Sequence, residues 1–337
     1  MSSLLSRYAE SVFWMARYFE RAESLARILE TQTSFQRGRE DNSWAWIVAL
    51  YSDEEAFAKA FGEPNADNVI RYYMAYADNP GSIQSSIRAA RENARALRPM
   101  LSTDMWYQLN DFHNRIAAFG PGDFSEVRLS RTCDAIKRGC YAQLGIAENT
   151  FYRDETWPFF RLGLFLERAD QTSRLLDVRF AQQQTGLACD ERYDFTFWTI
   201  LLRAASAYHS YRRLFPHHID PKEVARFLVF DARLPRSLAY CLAEIQAMIE
   251  LLRRDFGLRH ASAAAEQVET MLLGLDTASK DGHLVEGLHR FNDWVQLRLM
   301  HLTEELGQAF FGYARPAGAA SPPPAMSQTQ SQTMTAH

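Results

Sequence analysis

Lysine is nearly missing from this chain: of its 337 residues only 4 are Lys, against 33 Arg. Codon bias is the bland cause of such a ratio. The physical consequence holds either way, because Arg makes planar bidentate pairs that Lys cannot. A basic excess is also missing. The formal net charge is -4 and the pI near 6.2, which argues against a general nucleic-acid binder. Cysteine is sparse: Cys133, Cys140, Cys189 and Cys241 form no CxxC pair, which speaks against a zinc ribbon or disulfide framework. Buried free thiols are expected instead. No apolar run approaches the roughly 18 residues that span a bilayer. The start, Met1 to Arg7, lacks a basic region followed by an apolar core. A cytoplasmic protein without membrane contact is expected. Neither GxxxxGK[ST] nor GxGxxG occurs, so no nucleotide-binding loop is recognisable. Convincing strand-like alternation is missing as well.

What is present is helical periodicity and 47% apolar residues, enough for a packed core. Residues 4–35 are free of Gly and Pro, with Leu5, Ala9, Val12, Ala16 and Phe19 at helical spacing. Further helical stretches cover about 82–119, 125–150, 155–183, 190–214, 235–256, 262–275 and 283–313. Ser52 and Glu55 have the form of a capping box, and Asp220-Pro221 that of a helix start. After Arg315 the composition turns to Ala, Gly, Pro, Ser, Gln and Thr, so 316–337 reads as a disordered tail.

One charged segment occurs twice. Glu20-Arg21-Ala22-Glu23 with Arg27 returns as Glu167-Arg168-Ala169-Asp170 with Arg174, 147 positions later. Trp46 to Leu50 resembles Trp198 to Leu202, and Pro80-Gly81-Ser82 resembles Pro235-Arg236-Ser237. The expected fold is all-α: residues 1–315 as a single large helical bundle of two pseudo-symmetric duplicated halves, about 1–148 and 149–315.

A projection at about 100° per residue puts Glu23 within the apolar stripe, Glu20 and Arg27 beside it and Arg21 on the opposite face. Asp170, Glu167 and Arg174 repeat that pattern. The set at i, i+3 and i+7 is thus favoured over the adjacent Glu-Arg pair as the working unit. Carboxylates so placed must be paired, protonated or ligand-bound. One outcome is a cross-braced ion-pair cluster, with Glu23–Arg27 and Asp170–Arg174 as i,i+4 pairs. The other is a substrate-binding centre. There Glu20, Glu23, Glu167 and Asp170 face an amine or cation, while Arg27 and Arg174 orient them or grip a carboxylate. Secondary candidates are Arg21, Arg168, Arg153, Asp154, Glu155, Asp78 and Asn79, the last four more readily read as capping or turn residues. Glu286-Gly287-Leu288-His289 is a single Glu-x-x-His, too little for a di-metal bundle, so no metal is expected.

The repeated Glu-Arg segment, Asp78-Asn79-Pro80 through Arg95, and Arg153-Asp154-Glu155 through Asp170 resemble the Alpha-E family of bacterial all-helical proteins. Val224 to Leu228 and Leu234 to Ser237 extend the resemblance, which covers about residues 3–313. Leu164-Phe165 departs from the Arg-Tyr form that Arg17-Tyr18 keeps, so the second copy lacks that arginine. The resemblance implies company with circularly permuted ATP-grasp ligases, transglutaminase-like proteins and a proteasome-like protease. It also implies a part in making or modifying peptide amide bonds. ATP and Mg would then bind only an ATP-grasp partner, with no cofactor in this chain. The alternatives are a stand-alone enzyme with a raised-pKa carboxylate as general base, and an interaction scaffold.

Overall fold

The stretch expected to be helical over 4–35 forms α1, Ser6–Gln36, whose backbone ladder no Gly or Pro interrupts. The computed structural model describes residues 6–36, 44–184, 191–258, 261–280 and 287–314, and among these all regular structure is helical. The short helices α2 (Ala45–Leu50), α3 (Glu54–Phe61) and α4 (Ala66–Ala75) precede α5 (Ile83–Ala96), α6 (Thr103–Ala117) and α7 (Glu126–Thr150). Then come α8 (Thr156–Gln184), α9 (Glu191–Ala204), α10 (Tyr208–Leu214), α11 (Pro221–Phe230) and α12 (Leu238–Arg254). The order ends with α13 (Ser262–Lys280) and α14 (Leu288–Leu306), which runs into a π-helical turn at Gly307–Phe311. The proposed tail lies outside the described residues.

Two expected helices are broken in two. The 82–119 stretch leaves helix at Leu97, before Pro99, and α6 restarts on Ser102, whose Oγ accepts the Met105 amide. The 190–214 stretch breaks at Ser206, which sits at φ +55°. Ser52 adopts the same φ, which corrects the capping-box reading: the residue before α3 is Asp53, and its side chain makes no cap bond. Ser52 and Ser206 also share turn bonds. Ser52 and Asp53 donate to Ala49 and Val48, as Ser206 and Ala207 do to Arg203 and Leu202. Asp220 caps α11 as expected, accepting the Glu223 amide.

α1 and α8 form the axis of the bundle. Phe13 lies against Gly163, Arg17 and Arg21 reach Glu167, and Glu20 meets Arg168. Both numbers rise together, so the two helices run parallel. α5, α7 and α9 also pack on α1, while α12, α14 and α2 pack on α8. Every residue from Val12 to Leu29 is therefore buried, whichever way its side chain points. Cys133, Cys140 and Cys241 are buried free thiols as expected, and Cys189 lies outside the residues whose side chains are described.

At the crossing, a Cβ on Gly163 would overlap the Phe13 carbonyl oxygen, which is backbone and cannot rotate away. Gly163→Ala is therefore expected to destabilise the chain by about 1–3 kcal/mol, despite the ~1 kcal/mol that Ala gains over Gly within a helix. Urea denaturation of the variant measures this. An unchanged midpoint would mean that α1 and α8 are not in this contact.

Candidate functional site: a buried arginine–carboxylate network

Glu167 is fully buried on α8, facing α1. Its Oε1 accepts from Arg21 Nε at 2.7 Å and Gln171 Nε2 at 3.2 Å. Its Oε2 accepts from Arg17 Nε at 2.8 Å and Arg21 Nη2 at 3.1 Å. Arg17 lies over the Trp14 ring, 4.7 Å from its centroid, so its cation rests on an aromatic face as well. Burial raises the Glu167 carboxyl, but the Arg21 and Arg17 guanidiniums outweigh it and hold it at about 2.

Glu20 answers from the other helix. It accepts from Arg168 Nε at 3.1 Å and Nη2 at 2.9 Å, and pairs with Arg236 Nη1. Burial is again opposed by two guanidiniums, of Arg168 and Arg236, and Glu20 is held at about 2. The position that matches Arg17 in the second copy is Leu164, which carries no charge. Arg236, on the loop between α11 and α12, supplies the second guanidinium instead.

Arg236 also reaches Glu23, 2.7 Å from Oε2. Glu23 Oε1 accepts from the Tyr141 hydroxyl at 2.7 Å and pairs with Arg27. Arg27 further donates to the Ala204 carbonyl at 3.2 Å and to the Tyr141 hydroxyl at 3.2 Å. Burial and the Arg236 charge push Arg27 down to about 9, still a cation at neutral pH. On α8 itself Asp170 accepts from Arg174 Nε at 2.9 Å. Both i,i+4 pairs expected from spacing are thus formed.

Near Arg174 the network continues into residues the sequence did not single out. Gln171 accepts from the Tyr51 hydroxyl at 3.0 Å, and Asp53 from the Tyr73 hydroxyl at 3.0 Å. Burial pushes the Asp53 carboxyl up to about 6, against the Tyr73 hydrogen bond. Tyr141 and Asp53 carried no usable signal, since Asp53 reads as part of a helix cap. Arg17 and Arg236 stand inside segments that carry the family resemblance.

The structure corrects the expectation that Arg21 and Arg168 point away and that the adjacent Glu-Arg pair is secondary. Arg21 is 5% exposed, and the two Glu-Arg pairs cross: Arg21 binds Glu167 and Arg168 binds Glu20. The helical projection assumed one solvent face, and α1 has none between Val12 and Leu29. Other secondary candidates are engaged locally. Arg153 lies over Trp157 and donates to the Glu148 carbonyl at 2.6 Å. Asp154 accepts the Thr156 amide and hydroxyl at the start of α8, beside Glu155. Asp78 accepts the Tyr76 hydroxyl at 3.1 Å, and buried Asn79 closes its turn by accepting the Gly81 amide at 2.8 Å.

Fold and site together define an all-α bundle braced by reciprocal Glu-Arg pairs between two parallel central helices. The chain belongs to the Alpha-E family, described as a predicted alpha-helical domain with a conserved ER motif, whose model matches residues 4–311. It is 25% identical over 319 residues to an uncharacterized protein of Mycobacterium bovis, and equally to uncharacterized proteins of two Mycobacterium tuberculosis strains. Each match covers 84% of this chain, which spans only 35% of the relatives' length. No solved structure matches significantly. Among the described residues, no helix is long and apolar enough to cross a membrane.

Proposed function

We propose that this chain is a non-ATP-binding accessory component of an ATP-grasp-type amide-ligase system, and that it presents a cationic edge to a substrate carboxylate. The observation that carries the reading is the charge balance of the interior. Among the described residues, the carboxylates of Glu20, Glu23, Glu167 and Asp170 are ion-paired with six guanidiniums, those of Arg17, Arg21, Arg27, Arg168, Arg174 and Arg236. Glu20, Glu23 and Glu167 have both oxygens occupied, which leaves them poorly placed to take an amine. Arg174 spends only Nε on Asp170, and no described residue accepts from its Nη nitrogens. A planar two-nitrogen edge suits a carboxylate. The relatives' longer chains leave room for a covalently joined partner, in line with the company the family resemblance implies. Transglutaminase-like and proteasome-like proteins would act elsewhere in the same system. The repeated Glu-Arg segments and the like turns at Ser52 and Ser206 support a duplicated origin.

The test is co-expression with an ATP-grasp partner, followed by ATP turnover with candidate amino acids and peptides. Arg174→Lys keeps a charge against Asp170 but removes the planar edge. It is expected to raise the KM for the carboxylate substrate about tenfold or more, the loss of a charge-assisted hydrogen bond, with the melting temperature nearly unchanged. Substrate turnover by this chain alone would sink the accessory role. A KM unchanged in Arg174→Lys would sink the assignment of Arg174. A second reading, that the network only braces the helices, is favoured by the filled carboxylates. It expects charge-removing variants to lower stability and leave turnover by the complex intact.

A further inference from the structure

Beyond the network, Glu286 of the single Glu-x-x-His lies outside the described residues. Two pairs of short helices, α3 with α4 and α10 with α11, carry more. Both pairs are built on one plan. Each follows a turn with a serine at φ +55°, Ser52 or Ser206. In the first pair the Phe57 ring stacks on Phe61 and meets Tyr72 edge-on, with centroids 5.9 and 5.0 Å apart. In the second, Tyr211 stacks on Phe215 and meets Phe227 edge-on, at 4.7 and 5.7 Å. The second helix of each pair starts on a side-chain cap, Asn65 or Asp220. Matching inner rings set matching outer positions. Glu55 corresponds to His209, Ala60 to Leu214 and Asp67 to Lys222, and all six are exposed.

The outer faces carry opposite charge. Residues 54–71 hold four acids, Glu54, Glu55, Glu63 and Asp67, against Lys59 and Arg71, a net charge of -2. Residues 208–226 hold four bases, Arg212, Arg213, Lys222 and Arg226, against Asp220 and Glu223, a net charge of +2 with histidines neutral. Among the described residues Glu54, Glu55, Glu63, Arg212, Arg213 and Lys222 form no ion pair. Elsewhere surface arginines do pair, as Arg115 does with Asp111 and Arg138 with Asp134.

We propose that copies of this chain associate through these faces, the acidic α3/α4 face of one copy against the basic α10/α11 face of the next. Every molecule carries both faces, with equal and opposite charge, so a second copy supplies the complement of each. Docking gives the unpaired charges partners, whereas acid on acid or base on base is repelled, and that fixes the pairing. Shape agrees with charge. Leu214 stands 42% exposed on the basic face, while exposed Ala56, Ala58 and Ala60 leave the acidic face without bulk to obstruct it. The contact joins two different surfaces, so it closes into a ring or extends into a chain. It uses no residue of the arginine network and does not depend on the amide-ligase reading.

Sedimentation velocity of the full chain over a range of concentrations tests it, at low salt and at about 1 M salt, where charges are screened beyond roughly 3 Å. Association is expected at low salt and should be lost at high salt. Reversing either face, in Glu55→Lys/Glu63→Lys or in Arg213→Glu/Lys222→Glu, should weaken self-association about tenfold or more, because two opposite faces become two like ones. Mixed in equal amounts, the two variants should associate again, since each then offers the other its complement. All four positions are exposed and unpaired, and circular dichroism checks that the variants stay folded. A chain that stays monomeric at low salt would overturn the interface. Self-association that persists unweakened in both variants would do the same, as would a mixture that fails to recover it.

Discussion

Glu167→Ala is expected to lower stability by about 3–5 kcal/mol, a large part of the roughly 5–15 kcal/mol typical of a folded protein. Glu167 is fully buried and takes donors from Arg17, Arg21 and Gln171. Removing it leaves the largely buried guanidiniums of Arg17 and Arg21 without their counter-charge. Arg21 loses both of its charged hydrogen bonds at once. The cost is that of unpaired buried charge, not the modest net worth of an intact pair. Asp111→Ala provides the contrast. It removes an exposed i,i+4 partner of Arg115, where about 0–1 kcal/mol is expected. Urea titration of both variants compares them. If Glu167→Ala cost no more than Asp111→Ala, the buried network would not be what holds α1 against α8.

Acid is expected to unfold the chain by the same route. Glu20 and Glu167 are held at about 2 in the folded protein, below the ordinary 4.5, because four guanidiniums outweigh the effect of burial. Their folded pKa values are depressed, so their contribution is present in full above the unfolded value. It is lost as pH falls through the folded one. Stability should therefore be level in this respect above about pH 5 and decline steeply toward pH 2. At full strength each carboxylate accounts for about 3 kcal/mol of that decline. Asp53 works in the opposite sense. Burial raises its folded value to about 6, so its ionisation weakens the fold as pH rises through that value. Denaturant midpoints measured from pH 2 to 8 report both trends. In Glu20→Gln the acid decline should become shallower, since one of the two depressed groups no longer titrates. An equally steep decline in that variant would show that other carboxylates govern acid unfolding.

Much of the helical architecture is written in local pattern. Uninterrupted periodicity marked α1 and α8, Asp220-Pro221 marked the start of α11, and a charge repeated on two core helices marked the centre of the molecule. The breaks at Leu97 and Ser206 were harder to read, because their apolar periodicity continues across the interruption. Pro99 and Ser102 explain the first break in hindsight. Only the backbone reveals the positive φ of Ser206. The same limit hid Asp53, which sequence alone presents as an ordinary acid ahead of a helix.

By itself the sequence determined that Glu20, Glu23, Glu167 and Asp170 lie on core helices and that Glu23 and Asp170 meet the arginines one turn on. Those pairs are set by the 3.6-residue turn, which needs no partner helix. The tertiary structure alone decided that Arg21 binds Glu167 and Arg168 binds Glu20, contacts between residues 146 and 148 positions apart. A projection within one helix shows where a side chain points, but not what waits there. The parallel crossing at Phe13 and Gly163 places each Glu-Arg pair against the other. Arg236 then arrives from a loop to occupy the place that Leu164 leaves uncharged. Burial of α1 on every side is what turned an apparently outward arginine into a central one.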